Sequence, residues 1–436
     1  MSGVVASQVV HSNAPSLLLL VWLHGFKGGD DTFESFPERL TFLLSETWPK
    51  TKCTSIIYPA YDTRGSLSKA SEVFLDWLTV KTTEYETAHE KTSPGKSKAD
   101  AGREQAYVIL LGHSMGGLVI ADATLKLIRE RDSQTDLQES IIWPGIIGLI
   151  GYDTPYYGLN PTFFANTANE YLGHAKMAQQ VMNNLGLGLA LGMGAVGSSS
   201  TSGPATPKNE KLPPETEKKN QNQKTQTPPT SAGSNWMKLG LAAVGVAGLA
   251  AAAGTTYWQK DKITENVGWA ASHLDYIKEL FETDRLNQRM SDIIKIKPAV
   301  NFHCFYTEIP KVDSHSSDRH FIILPTSKTQ PRGIDASFSA NRNQKSPNEI
   351  NAHTTMFNQN SNSGYWNLGK DSARLISEWL QESHQRRTNL VRTPDDHVLD
   401  QSSRFTQNAE NRDQLTQDAR VKLEDEIGDQ GLRDEL

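Results

Sequence analysis

The chain has 436 residues, of which 37% are hydrophobic and 22% are charged, and it contains only two cysteines. Two cysteines allow at most one bridge, which excludes a small disulfide-stapled scaffold and favours a reducing compartment. The formal charge of −6 comes without a basic face or arm, so we expect no nucleic-acid partner. A mean hydropathy of −0.51 is low for a globular enzyme, which predicts that part of the chain does not fold.

Strands and helices alternate along the first part of the chain. The apolar run Leu17–Leu23 has no basic residue before it and no small-residue cleavage site after it, so it predicts a buried strand rather than a signal peptide. We therefore expect an intracellular protein that is not secreted through this end. Further short apolar runs predict strands, and amphipathic spacing predicts helices between them. The strands are Cys53–Tyr58, Tyr107–Leu111 and Ile146–Ile150, and the helices are Leu67–Val80 and Gly117–Glu130. This order is typical of an α/β fold, a mostly parallel sheet with helices on both faces.

The alternation stops in the middle of the chain and then resumes. Residues 198–235 are almost purely Ser, Thr, Pro, Lys, Asn and Gln, which predicts disorder. Beyond them, helices are predicted at Trp269–Glu282 and Ser372–Ser383, and strands at Ala299–Tyr306 and Phe321–Leu324. The sequence thus predicts a first α/β part at 1–175, an insert at 176–265, a second α/β part at 266–385 and a charged tail at 386–436 that is either disordered or a loose helix.

Ser114 lies in the pentapeptide Gly112-His113-Ser114-Met115-Gly116, between a predicted strand and a predicted helix. G-x-S-x-G in a strand–turn–helix context is the signature of a nucleophile elbow, whose tight turn leaves no room for side chains at the glycines. The serine then lies at a helix N-terminus, where the backbone N–H of Met115 can stabilise an oxyanion. A second donor is expected from the loop after the first strand, and Phe26 in His24-Gly25-Phe26 is the candidate.

A serine nucleophile needs a base, and the base needs a carboxylate to orient it, in the chain order serine, acid, histidine. His353 follows the last predicted strand and precedes the last helix, so it is the candidate base. Asp153 ends the strand after the elbow helix and is the favoured acid. Glu308 and Asp313, which follow the next strand, are the alternatives. The sequence shows neither a metal-ligand cluster nor a phosphate-binding loop, so we expect neither a metal nor a cofactor.

Together these residues resemble the lipase-like serine esterases of the α/β-hydrolase superfamily. The resemblance runs from about Ser16 to Leu380 without the insert. Its segments are His24-Gly25-Phe26, Tyr58-Pro59 with Thr63-Arg64-Gly65, Gly112–Gly117, Asp153-Thr154-Pro155-Tyr156, and His353 with Met356-Phe357. Related proteins usually read Gly-Thr-Pro-His at the fourth segment, and this departure supports Asp153 as a chemical group. The resemblance implies the α/β-hydrolase fold and hydrolysis of a lipid or other carboxylic ester. The alternative is a catalytically silent hydrolase fold that serves as a membrane-associated binding or scaffold protein.

Leu239–Trp258 is an uncharged run long enough to cross a bilayer as a helix of about 30 Å. A single crossing would leave Ser114 and Asp153 on one side of the membrane and His353 on the other, so it contradicts the proposed triad. Leu185–Val196 would form only about 18 Å of helix, too short for a second crossing. We therefore expect a shallow hairpin or an interfacial lid at a membrane surface, with a buried helix of the domain as the alternative.

Overall fold

The computed structural model describes residues 15–26, 28–61, 65–92, 105–133, 142–160, 278–311, 317–326, 333–392 and 412–425. The chain divides into two units, Met1–Phe163 with Thr255–Leu436 and Phe164–Gly254, and every described residue belongs to the first. The predicted insert at 176–265, including Leu185–Val196 and Leu239–Trp258, lies outside the described residues. Across the described ranges, no helix has the length and apolar character needed to cross a membrane.

Seven strands and seven α-helices occur within the described ranges. The strands are β1 (Leu17–Leu23), β2 (Lys52–Ile57), β3 (Tyr107–His113), β4 (Ile146–Tyr152), β5 (Asn301–Ile309), β6 (Arg319–His320) and β7 (Phe338–Arg342). The helices are α1 (Phe36–Thr47), α2 (Leu67–Thr92), α3 (Gly116–Ser133), α4 (Thr283–Lys295), α5 (Glu349–Thr354), α6 (Tyr365–Arg392) and α7 (412–425). Short 3₁₀ turns precede α4 and β7.

The strands form one sheet in the order β2-β1-β3-β4-β5, in which all neighbours are parallel. β7 adds to β5 in parallel, and the two-residue β6 adds to it antiparallel. Alternate residues of β1 enter opposite apolar clusters, because successive side chains of a strand point to opposite faces. One cluster includes α2, α3 and α4, and the other includes α1 and α6. The predicted α/β architecture, a mostly parallel sheet covered on both faces, is confirmed.

Several elements differ from their predicted extents. The predicted strand Phe321–Leu324 is replaced by β6 two residues earlier and by an isolated bridge between Ile322 and Leu159. The sequence patterns did not predict α1, α4, β7 or α5, and α5 is the short helix that carries His353. Parallel strands and their flanking helices nevertheless bring the carboxyl ends of β1, β3, β4 and β5 to one edge of the sheet, where ligands bind in such folds.

Of the two alternatives for the tail over 386–436, two stretches form the helical one. Helix α6 continues to Arg392, and residues 412–425 form α7. Ala419 and Leu423 lie four residues apart on one helical face and are both buried. On the same helix, the Thr416 hydroxyl lies 2.8 Å from that of Thr83 on α2. A narrow apolar stripe in a polar sequence is therefore enough to dock this helix against the core.

Candidate active site

Ser114 occupies the turn between β3 and α3 with φ +55°, a backbone conformation that is uncommon for residues other than glycine. Its N–H donates to the carbonyl of Tyr152, 2.9 Å away, which ties the turn to the end of β4. The loop after β1 packs directly on this turn. A Cβ at Gly116 would lie 2.3 Å from the carbonyl oxygen of Leu23, and one at Gly25 would lie 2.6 Å from the Cβ of Ser114. Glycine at these positions allows the close approach.

Asp153 follows β4 directly and also has a positive φ, +49°. Tyr152 is in register with Phe305, so Asp153 leaves the sheet beside the middle of β5, and its N–H donates to the Phe305 carbonyl at 2.6 Å. The carboxylate is fully buried and accepts hydrogen bonds from the N–H of Thr307 at 2.9 Å and from its hydroxyl at 2.7 Å. Such bonds offset the loss of hydration that burial imposes on a carboxylate.

The side chain of His353 meets this carboxylate, although the two residues are 200 positions apart in the chain. The Nδ1 of His353 lies 2.7 Å from Oδ2 of Asp153, and the imidazole is largely buried. The short helix α5 carries the histidine, and the Asn348 side chain caps this helix by accepting the N–H of Asn351. Because a carboxylate oxygen only accepts hydrogen bonds, Nδ1–H of His353 is the donor in this contact.

Two rings stack on the imidazole of His353. The ring of Phe321 has its centroid 3.9 Å away at an interplanar angle of 24°, and that of His113 lies 4.6 Å away at 27°. Two rings cannot both stack at these distances on one face of an imidazole, so they cover opposite faces. Asp153 meets the same ring at its Nδ1 edge.

His113 packs on His353 from the side of the turn that carries Ser114. Its Nε2–H donates to the backbone carbonyl of His353 at 3.1 Å. Burial, and secondly the neighbouring His353, hold the pKa of His113 well below its usual value. His113 is therefore neutral at physiological pH, and an imidazolium forming on His353 meets no second positive charge from it.

The loop predicted to supply an oxyanion donor lies at the same edge. The position of a Cβ on Gly25 is 3.0 Å from the backbone nitrogen of Met115, so the loop runs beside that amide. Met115 directly precedes α3, where backbone N–H groups lack an acceptor within the helix. Phe26 is half-buried and packs on the apolar core. The roles of the Met115 and Phe26 amides as oxyanion donors stay predictions.

His24 and Tyr61 brace the backbone of this loop. Nδ1 of His24 lies 3.0 Å from the Gly25 carbonyl, and the ring stacks on Tyr61 with centroids 4.9 Å apart. The hydroxyl of Tyr61 donates to the His24 carbonyl at 3.0 Å. Burial lowers the pKa of His24, so its ring is neutral and serves as packing and a hydrogen-bond donor.

Of the alternative acids, the structure describes only Glu308. The carboxylate of Glu308 pairs with the Arg342 guanidinium at 2.6 Å and lies 3.9 Å from Nε2 of His320. It lies next to Thr307 along β5, so the two side chains point to opposite faces of the strand. Asp313 lies outside the described residues. Within the described ranges, no group of three or more His, Cys, Asp or Glu side chains is placed to hold a metal ion.

Thr307 and Phe321 belong to this site, yet neither was predicted from sequence. Thr307 is an ordinary strand residue, and only the register between β4 and β5 brings it to Asp153. Phe321 lies in a predicted strand, and only its position after β6 brings its ring over His353. Neither residue belongs to a motif with a recognisable spacing.

No protein-family model and no curated protein matches the sequence. Among solved structures, the chain is similar to phospholipase PlaB from Legionella pneumophila, at 13% identity over 33% of this chain and 26% of that chain, with a TM-score of 0.20. It is similar to Est1E from Butyrivibrio proteoclasticus at 21% identity over 33% of this chain and 42% of that chain, with a TM-score of 0.17. An extracellular alpha/beta-hydrolase from a Paenibacillus species shares 16% identity over 34% of this chain and 46% of its own, with a TM-score of 0.17. The chain spans less than half the length of each of these structures. The candidate site is therefore argued from its own contacts and distances.

Proposed function

We propose that this protein is a serine hydrolase of the α/β-hydrolase type that cleaves carboxylic esters. The observation that carries the proposal is the 2.7 Å bond between Nδ1 of His353 and the buried carboxylate of Asp153, at the sheet edge where Ser114 occupies a strained strand–helix turn. A general base oriented by a carboxylate beside a serine at a helix N-terminus is the arrangement that acyl transfer requires.

In the proposed reaction, the Ser114 hydroxyl attacks the ester carbonyl carbon while Nε2 of His353 accepts its proton. Asp153 stabilises the imidazolium through the bond to Nδ1–H, and Thr307 keeps the carboxylate in place. The backbone N–H groups of Met115 and Phe26 stabilise the oxyanion of the tetrahedral intermediate. His353 then protonates the departing alcohol, and a water molecule, deprotonated by the same nitrogen, hydrolyses the acyl-serine.

Lipid esters at a membrane surface are the substrate class that we favour. This part of the proposal is supported by the sequence alone, through the apolar run Leu239–Trp258 with aromatic residues and lysines at its ends. Flotation with liposomes tests it. The full-length protein should float, and a variant lacking Leu239–Trp258 should stay at the bottom of the gradient. If both proteins stayed at the bottom of the gradient, the proposal would no longer include a membrane surface.

A fluorophosphonate probe tests the chemistry, because it reacts with serines that a neighbouring base activates. The wild-type protein should be labelled and should hydrolyse p-nitrophenyl butyrate, and Ser114→Ala should do neither while unfolding at the same temperature. Absence of labelling in a folded wild-type protein would instead favour a silent hydrolase fold that binds without catalysis.

A further inference from the structure

Phe321 covers one whole face of the His353 imidazole, and none of the proposed chemical steps uses it. The centroid distance of 3.9 Å and the angle of 24° describe a face-to-face stack, not an incidental edge contact. His113 stacks on the opposite face at 4.6 Å. The imidazole is therefore clamped between two rings, and Asp153 holds it at one edge.

The segment that carries Phe321, residues 319–323, is tied to the backbone that follows Asp153. The Phe321 carbonyl accepts the N–H of Asn160 at 2.9 Å, and the N–H of Ile323 donates to the Gly158 carbonyl at 2.9 Å. Between these bonds, Ile322 is buried in the apolar core. The position of Phe321 is thus set by main-chain pairing to the element that supplies the proposed acid.

The same segment is also tied to the helix that carries the proposed base. The Arg319 guanidinium lies 3.5 Å from the carboxylate of Glu349, the first residue of α5, and donates to the Pro347 carbonyl at 3.1 Å. Glu349 is buried, with 1% of its surface exposed. Residues 319–323 therefore connect the Asp153 side and the His353 side of the site, with the ring of Phe321 between them.

We propose that Phe321 is a positioning residue for His353. The torsion that orients an imidazole plane has a broad minimum, so the bond to Asp153 alone leaves the plane free to tilt. Stacking from both faces restricts it to the plane in which Nδ1 meets Asp153. The face of the Phe321 ring also favours the imidazolium that forms in the transition state. This inference rests on the proposed hydrolase function.

The test compares kcat and KM on p-nitrophenyl acetate, butyrate and octanoate. Phe321→Leu removes the ring and keeps apolar bulk, and Phe321→Tyr keeps the ring. Phe338→Leu is the matched control, because Phe338 is also half-buried among aromatic rings, which belong to Tyr156, Tyr157 and Phe302. Thermal unfolding accompanies each variant. Should Phe321→Leu fail to fold, Phe321→Met takes its place, since its flexible chain fills the same space.

If Phe321 positions the base, Phe321→Leu lowers kcat about tenfold or more, by the same factor on all three esters, and leaves KM within about twofold. Phe321→Tyr and Phe338→Leu stay within about threefold of wild type. A loss that grows with acyl length and appears in KM would make Phe321 a wall of the acyl pocket and overturn the proposal. Equal effects of Phe321→Leu and Phe338→Leu would overturn it too. A folded wild type without Ser114-dependent labelling would instead defeat the hydrolase function itself.

Discussion

Replacing Asp153 by asparagine tests the proposed acid with almost no change in shape. The carboxylate accepts two bonds from Thr307 and one from Nδ1 of His353. An asparagine can keep its oxygen on the Thr307 N–H, and its NH₂ then faces the Thr307 hydroxyl and Nδ1 of His353. An N–H donor at that place favours the tautomer of His353 with the proton on Nε2, which cannot accept the proton of Ser114.

The same change in serine triads lowers kcat by about 10⁴, so we expect a loss of about 10³–10⁴ here, or about 4–5.5 kcal/mol of transition-state stabilisation at 1.36 kcal/mol per factor of ten. The assay is kcat for p-nitrophenyl butyrate together with fluorophosphonate labelling, at matched unfolding temperature. Glu308→Gln is the isosteric control. Glu308 pairs with Arg342, whose side chain is 69% exposed, and it points to the strand face opposite Thr307. We expect it to keep activity within about threefold.

Two results would refute this reasoning. If folded Asp153→Asn kept turnover within a few-fold of wild type, the 2.7 Å contact with His353 would be structural and not catalytic. If folded Glu308→Gln lost turnover instead, the acid would be Glu308, and the rotamers of the site would differ from those described.

The remaining predictions concern the loop, the pH response and the tail. Gly25→Ala places a Cβ 2.6 Å from the Cβ of Ser114, so labelling by the fluorophosphonate probe should fall at least about tenfold. In the control Gly29→Ala, the new Cβ meets only the Asp31 carboxylate at 3.1 Å, and labelling should be normal. His303 is buried, and its pKa is lowered from 6.5 to about 4, so the unfolded state binds more protons between these pH values. Acidification from pH 6.5 to 4 should therefore lower the free energy of unfolding by about 3 kcal/mol through this residue. Urea titrations at each pH should show a smaller loss in His303→Gln than in the wild type. Parallel pH profiles of the two proteins would contradict this prediction. Leu423→Ala should lower the free energy of unfolding by about 2–3 kcal/mol because Leu423 is buried. The control Leu415→Ala, at a site 51% exposed, should change it by under about 0.5 kcal/mol. Equal effects of the two substitutions would mean that α7 does not dock as described.

Local sequence patterns determined the central strands and the elbow. Apolar runs such as Leu17–Leu23 can only be buried on both faces, and that condition specifies an internal parallel strand almost without reference to the rest of the chain. Ser114 could be proposed as the nucleophile because its motif is a contiguous five-residue sequence, whose glycines and helix start are all local. The patterns were weaker where burial is partial, as in α1, β7 and the short helix α5.

The tail shows that composition is also a weak guide where a polar sequence forms a helix. Its polar composition predicts disorder or a loose helix, yet Ala419 and Leu423 are buried where α7 packs beside α2. Composition averages over a window, whereas docking depends on which few residues share a helical face and on whether a complementary surface exists elsewhere in the fold. The sequence by itself offers no view of that surface.

What the sequence determined by itself was the α/β architecture, the serine at the elbow and a short list of partners for it. Favouring Asp153 over Glu308 in the proposal needed the tertiary structure, because the proposal depends on which carboxylate meets a histidine 200 residues away. The register of β4 against β5 decided that Thr307 holds this carboxylate, and the path after β6 decided that Phe321 covers the imidazole. These are contacts between side chains on separate elements, so no local pattern encodes them, and only the packed sheet brings them to one edge.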